Sequence, residues 1–196
     1  MAVEAVVFDV GETLVDETRA WLDVAHRCGV PAFTLLGVLG GLAERRADHR
    51  DTWAILGVEG VPSPPIEPGD FYDDALPCLE RLRAAGFALG LAGNQPESAA
   101  ADLAGCGIDV DLIATSAGWA IEKPSPAFFE RIASELALAP EKIAYVGDRV
   151  DNDIEPALAA GMTAVHIRRG PWGYLQEPPA EAIPIRSLDE LPAVLA

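Results

Sequence analysis

Val6-Val7-Phe8-Asp9-Val10-Gly11-Glu12-Thr13-Leu14 begins as an apolar run, ends that run on a carboxylate and then turns on a glycine. The run belongs to the first of five such stretches, Val3 to Phe8, Phe87 to Ala92, Asp111 to Thr115, Ile143 to Val146 and Thr163 to Ile167. Helical patterns separate most of them, and that alternation predicts an α/β fold, a parallel sheet covered by helices. Leu76, Leu79 and Leu82 line one helix face before a stop at Gly86, and Phe129, Ile132, Ala133 and Leu136 line another.

Between the first strand and the helix that stops at Gly86 lies a long insert without a strand pattern, roughly Asp16 to Asp73. It reads as mostly helical. Trp21, Leu22, Ala25 and Cys28 fall on one helical stripe, a second segment runs from about Phe33 to Arg46, and a third from about Asp51 to Leu56. Pro62, Pro64, Pro65 and Pro68 mark an irregular return to the sheet. The expected organisation is a core of residues 1–15 and 74–196 with a helical insert at residues 16–73.

With 196 residues, 50% of them hydrophobic, the chain can bury a full core. Its 14 Lys and Arg against 31 Asp and Glu give a net charge of −17, which argues against nucleic acid or an anionic membrane as partner. A small anionic substrate would need a locally positive pocket. Cys28, Cys78 and Cys106 follow no metal-ligand or disulfide spacing and read as reduced packing residues. No basic segment precedes a long apolar one at the start, and no apolar run approaches the roughly 20 residues of a membrane span. A cytoplasmic protein is the expectation. His26, His49 and His166 are too scattered to suggest a metal site, and aromatic residues such as Trp119 and Trp172 read first as local packing.

In open parallel sheets the loops after the strands share one crevice, so chemistry collects there. Asp9 ends the first strand, where a carboxylate can attack phosphorus or carbon, bind a metal, or simply terminate the strand. Gly147-Asp148-Arg149-Val150-Asp151-Asn152-Asp153 places Asp148 at another strand end and Asp153 near a helix start, and converging hard oxygens suit magnesium. Asp151 and Asn152 read better as helix caps, with Pro156 in the first turn. Lys123, in Glu122-Lys123-Pro124-Ser125-Pro126, can neutralise Asp9 and a bound anion, while Ser125 and Pro126 can open the next helix. Gly93-Asn94-Gln95-Pro96 forms the last junction, where backbone N–H groups at a helix start can bind anions.

Taken in order, Asp9, the Gly93-Asn94 turn, Lys123 and Gly147-Asp148 with Asp153 resemble the four motifs of the haloacid dehalogenase superfamily across almost the whole chain. The resemblance implies a Rossmann-like sheet with helices on both faces and the insert acting as a small helical cap. It implies a magnesium-dependent hydrolase in which Asp9 attacks a small phosphorylated substrate. Asp9 and Lys123 would be catalytic, Asp9, Asp148, Asp153 and the Gly11 carbonyl would hold magnesium, and Thr13, Gly93, Asn94 and Lys123 would bind substrate.

Two positions depart from the family pattern. Gly11 stands where family phosphatases carry the Asp that protonates the leaving group, so alkyl phosphates should be poor substrates unless Glu12 or water substitutes. Gly93 stands where the family usually offers a Ser or Thr hydroxyl. These departures leave two alternatives: a 2-haloacid dehalogenase, whose halide-binding Arg is not identifiable among Arg19, Arg27, Arg45, Arg46 and Arg50, or a dormant fold that binds magnesium and an anion for regulation.

Overall fold

The computed structural model describes residues 2–195. Among them, β1 (Ala5–Phe8), β2 (Ala88–Gly93), β3 (Leu112–Thr115), β4 (Ile143–Gly147), β5 (Thr163–Ile167) and β6 (Ile183–Ile185) form one sheet in the order β3-β2-β1-β4-β5-β6. Every pairing is parallel. The helices are α1 (Thr18–Arg27), α2 (Ala32–Glu44), α3 (Asp51–Leu56), α4 (Ala75–Ala84), α5 (Ser98–Gly105), α6 (Ser116–Trp119), α7 (Pro126–Leu136), α8 (Glu155–Ala159), α9 (Gly170–Leu175) and α10 (Leu191–Val194).

Central strand β1 shows why the apolar runs carry no polar alternation. Val6 and Phe8 enter one core with Cys78, Leu79 and Leu82 of α4 and Leu191 of α10. Ala5 and Val7 enter the opposite core with Phe128, Phe129 and Ile132 of α7 and Ala157 of α8. A strand buried on both faces must be apolar at every position. Fully burying a side chain such as Phe8 contributes about 1.5–3 kcal/mol. The expected α4 and α7 are present, and the chain leaves α4 through Gly86 at φ 91°, a left-handed turn that suits glycine.

The five strands anticipated from the apolar runs are all present, within two residues at each end. Strand β6 was not anticipated. It has three residues and carries Pro184 on the sheet edge, where a missing N–H costs no ladder bond.

The helical segments expected around Trp21 to Cys28, from about Phe33 to Arg46 and from about Asp51 to Leu56 also form, as α1, α2 and α3, with one correction. Leu22 is 44% exposed, while Val24 and Ala25 supply the buried side of α1 and Cys28 caps its end. Leu35, Leu39 and Ala43 of α2 join them in a third apolar cluster that reaches Trp172 of α9. All three cysteines are free thiols. No single described helix is long and apolar enough to cross a membrane, and the α1–α2 pair is bent by 119°.

The sheet order reverses at β1. From it the chain steps one way to β2 and β3, then returns to β4 on the other side and continues to β5 and β6. The register pairs Phe8 with both Leu91 and Val146, so β1 ends between two strands that run two residues (β2) and one residue (β4) further. That reversal opens a crevice beyond the strand ends.

Candidate active site

Asp9 and Asp148 follow the last residues of β1 and β4, on the two sides of the crevice. The backbone of Asp9 is tied across by its N–H to the Val146 carbonyl at 2.8 Å. Asp148 is anchored through its own carbonyl, which accepts from His166 Nε2 at 3.0 Å. After β4 the chain makes a wide π-helical turn over Val150–Ile154 into α8, and this turn brings Asp153 back beneath the strand end. Pro156 sits in the first turn of α8, as expected. Carboxylate oxygens of Asp9, Asp148 and Asp153 all lie within 4.8 Å of one another.

Two glycines make this convergence possible. A Cβ on Gly93 would stand 2.5 Å from Asp9 Oδ1, and one on Gly147 would stand 2.5 Å from the Asp153 side chain. A side chain at either position would push its neighbouring carboxylate aside, so Gly93 contributes by leaving room for Asp9.

Lys123 closes the group. Its Nζ lies 2.8 Å from Asp9 Oδ1 and 2.5 Å from Asp153 Oδ1, and it donates to Tyr145 Oη at 2.9 Å. The ammonium is thus hydrogen-bonded to Tyr145 and Asp153 and ion-paired with Asp9. Tyr145 in turn donates to the Ala92 carbonyl at 2.7 Å. Burial alone would push the Lys123 pKa down, but Asp153 and Asp9 hold it well above the ordinary lysine range. Asn94 positions the loop: its Oδ1 accepts from the Lys123 N–H at 2.8 Å and its Nδ2 donates to the Lys123 carbonyl at 2.9 Å. The amide clamps Lys123 directly, and one Nδ2 hydrogen remains beyond that clamp.

One lysine does not balance three carboxylates. Burial and the neighbouring acids push Asp148 well above the usual carboxylate range, and burial with Asp9 pushes Asp153 up to about 6. Both Asp153 oxygens are engaged, with Lys123 and with the Arg149 N–H at 3.0 Å. Asp148 Oδ2 is buried without a partner among the described residues. An orphaned oxygen among hard, uncompensated donors is what a divalent cation would satisfy, so the residues present fit magnesium.

A cavity of about 220 Å³ faces this group, lined among others by Asp9, Gly11, Asn94, Lys123, Asp148 and Arg149. It shares Asn94, Lys123 and Arg149 with an outer groove of about 580 Å³ that runs past Arg46 and Arg50. Of the expected site residues, Asp9, Lys123 and Asp148 line the cavity, together with the Gly11 backbone and Asn94. Thr13 does not line it: the residue is fully buried, its Oγ1 has no partner among the described residues, and its carbonyl accepts from Arg169 at 2.8 Å.

Glu12 lines the cavity wall but is committed elsewhere, its Oε2 accepting from Tyr72 Oη at 2.8 Å and its Oε1 from the Glu17 N–H at 3.0 Å. Glu17, Trp21, His49 and Arg149, to which the sequence assigned no site role, also line the cavity, as does Trp172, which packs in the third apolar cluster as well. His49 sits edge-on to Trp21 and Trp172, and the Arg149 guanidinium lies 5.1 Å over the Trp172 ring. Burial and the nearby Glu12 carboxylate push the half-buried Glu17 up to about 7. Trp119, by contrast, packs on Phe128, as the packing reading expected.

A family model described as haloacid dehalogenase-like hydrolase matches residues 63–161, half of the chain. A glyceraldehyde 3-phosphate phosphatase of Methanopyrus kandleri is 37% identical over 125 residues, covering 60% of this chain and 52% of that protein. A phosphoserine phosphatase of Thermus thermophilus is 34% identical over 102 residues, covering 50% and 41%. The chain thus spans about half the length of these relatives. Among solved structures, a phosphatase of the same superfamily from Thermococcus onnurineus superposes with a TM-score of 0.69 at 24% identity, over 99% of this chain and 98% of that one.

Proposed function

Because the chain belongs to the haloacid dehalogenase-like hydrolase family, we propose that it hydrolyses a small phosphorylated substrate by covalent attack of Asp9 on phosphorus. The carrying observation is the seating of Asp9: its Oδ1 is held 2.8 Å from the buried Lys123 ammonium, at the floor of a cavity sized for a small molecule. With Oδ1 so held, Oδ2 forms the new bond to phosphorus while the bond to the leaving oxygen breaks, giving an aspartyl-phosphate. Water then attacks phosphorus, releases inorganic phosphate and returns the Asp9 carboxylate. Lys123 keeps Asp9 oriented and offsets the negative charge that gathers during transfer.

Asp9, Asp148 and Asp153, with the Gly11 carbonyl, would hold magnesium, which when bound supplies positive charge against the carboxylates and the phosphoryl oxygens. Asn94 would fix the Lys123 loop and present its remaining amide hydrogen to the substrate. In this reading residues 16–73 act as a cap, since Glu17, Trp21, His49 and Ser63 form part of the cavity wall. The relatives named as phosphatases of small phosphate esters support this reaction over dehalogenation. None of the arginines of residues 16–73 lines the inner cavity, which also disfavours a halide site there.

Assay of the purified chain with acetyl phosphate and 4-nitrophenyl phosphate, with magnesium or with a chelator, tests the proposal. Phosphate release that needs magnesium and disappears in Asp9→Asn is expected. Chloride release from a 2-chloroacid without magnesium, and no phosphate release, would overturn it.

A further inference from the structure

Position 11 has no side chain, yet the space in front of it is filled. A Cβ built on Gly11 would overlap Glu17 Oε1 and stand 2.7 Å from Glu17 Cδ. The Glu17 carboxyl thus occupies the volume that a side chain at position 11 would enter, at the same cavity wall as Asp9, Lys123 and Asp148. Its placement is built in from both ends. The Glu17 N–H donates to Glu12 Oε1 at 3.0 Å, and Trp21 Nε1, one helical turn on, donates to Glu17 Oε2 at 3.2 Å. Glu12 cannot fill the role, because Tyr72 and the Glu17 backbone hold both of its oxygens.

Building on the phosphatase reading, we infer that Glu17, at the start of α1, supplies the proton-transferring carboxyl that Gly11 lacks. As Asp9 Oδ2 bonds to phosphorus and the ester P–O bond breaks, the protonated Glu17 gives its proton to the departing alkoxide oxygen, which leaves as an alcohol. The resulting Glu17 carboxylate then takes a proton from the water that attacks phosphorus. Inorganic phosphate departs, Asp9 returns as a carboxylate, and Glu17 is again protonated. Gly11 is then a fitted residue, small because the acid arrives from the insert.

Two variants separate this role from a structural one. Glu17→Gln keeps the shape and the Trp21 contact but transfers no proton. Turnover of glycerol phosphate should fall by about 10² to 10⁴. With 4-nitrophenyl phosphate, whose leaving group needs no proton, the variant should release one equivalent of nitrophenolate in a burst and then turn over slowly. Gly11→Asp alone should lower activity by displacing Glu17, and Gly11→Asp with Glu17→Ala should recover alkyl phosphate turnover. An active wild type with an unchanged Glu17→Gln variant, or with equal losses on both substrates and no burst, would overturn the Glu17 role alone. A wild type inactive on both substrates would overturn the phosphatase reading beneath it.

Discussion

The two halves of the cavity are built differently. The sheet side places Asp9, Asp148 and Lys123 on loops whose backbones are cross-tied at 2.8 to 3.0 Å by Val146, His166 and Asn94. The insert side presents Glu17, Trp21 and His49 from α1 and the loop before α3, and its helices α2 and α3 also expose Phe33, at 92%, and Ile55, at 58%. Charge placed in a dry, cross-tied wall can be oriented before the reaction begins, whereas a wall resting on a smaller core can adapt to substrate. Apart from the proton transfer assigned to Glu17, chemistry should therefore be sensitive to the sheet side and recognition to the insert side.

Removing the cation from the sheet side should have the largest effect on stability. Lys123→Met leaves Asp9 and Asp153 buried without their shared partner, and breaking a buried pair in this way costs about 3–5 kcal/mol. Thermal unfolding would read the loss, and magnesium should raise the melting temperature of the variant more than that of the wild type. A melting temperature unmoved by magnesium in both proteins would break the metal assignment.

Gly93→Ala probes geometry with little change in chemistry. Its methyl would force Asp9 Oδ1 from its seat, and a displacement of about 1 Å can cost about 10²-fold in rate. The drop should appear in kcat, read with 4-nitrophenyl phosphate, with the fold retained. On the insert side, Arg46→Ala removes an exposed pair with Glu155 at 2.8 Å, and such pairs contribute about 0–1 kcal/mol. A melting temperature within a few degrees of wild type is expected. A large fall would show that the insert is held to α8 more firmly than its exposed contacts suggest.

The sheet side was legible because each of its strands, turns and carboxylates is contiguous in sequence: an apolar run states the strand, and the next residue states what stands at its end. Asp9, Asp148 and Lys123 could be placed together before any coordinates, since a parallel sheet brings all such ends to one crevice. Glu17 and His49 gave no comparable signal. They enter through the packing of α1, α2 and α9 around Trp172, and an acid eight residues past Asp9 reads locally as an ordinary residue before a helix. Glu12, nearer in sequence, was the natural substitute for the missing acid, and the Tyr72 hydroxyl and the Glu17 N–H show why it is committed elsewhere. Strand β6 escaped for a simpler reason, since three residues around Pro184 carry too little periodicity to read.

The covalent role of Asp9 is most directly tested by mixing the chain with acetyl phosphate and magnesium, quenching in acid within a turnover and locating any phosphoryl group by peptide mass. The expected result is one phosphoryl group on the peptide that contains Asp9, absent from Asp9→Asn. Steady phosphate release with that peptide unmodified, or with the label on another residue, would contradict it.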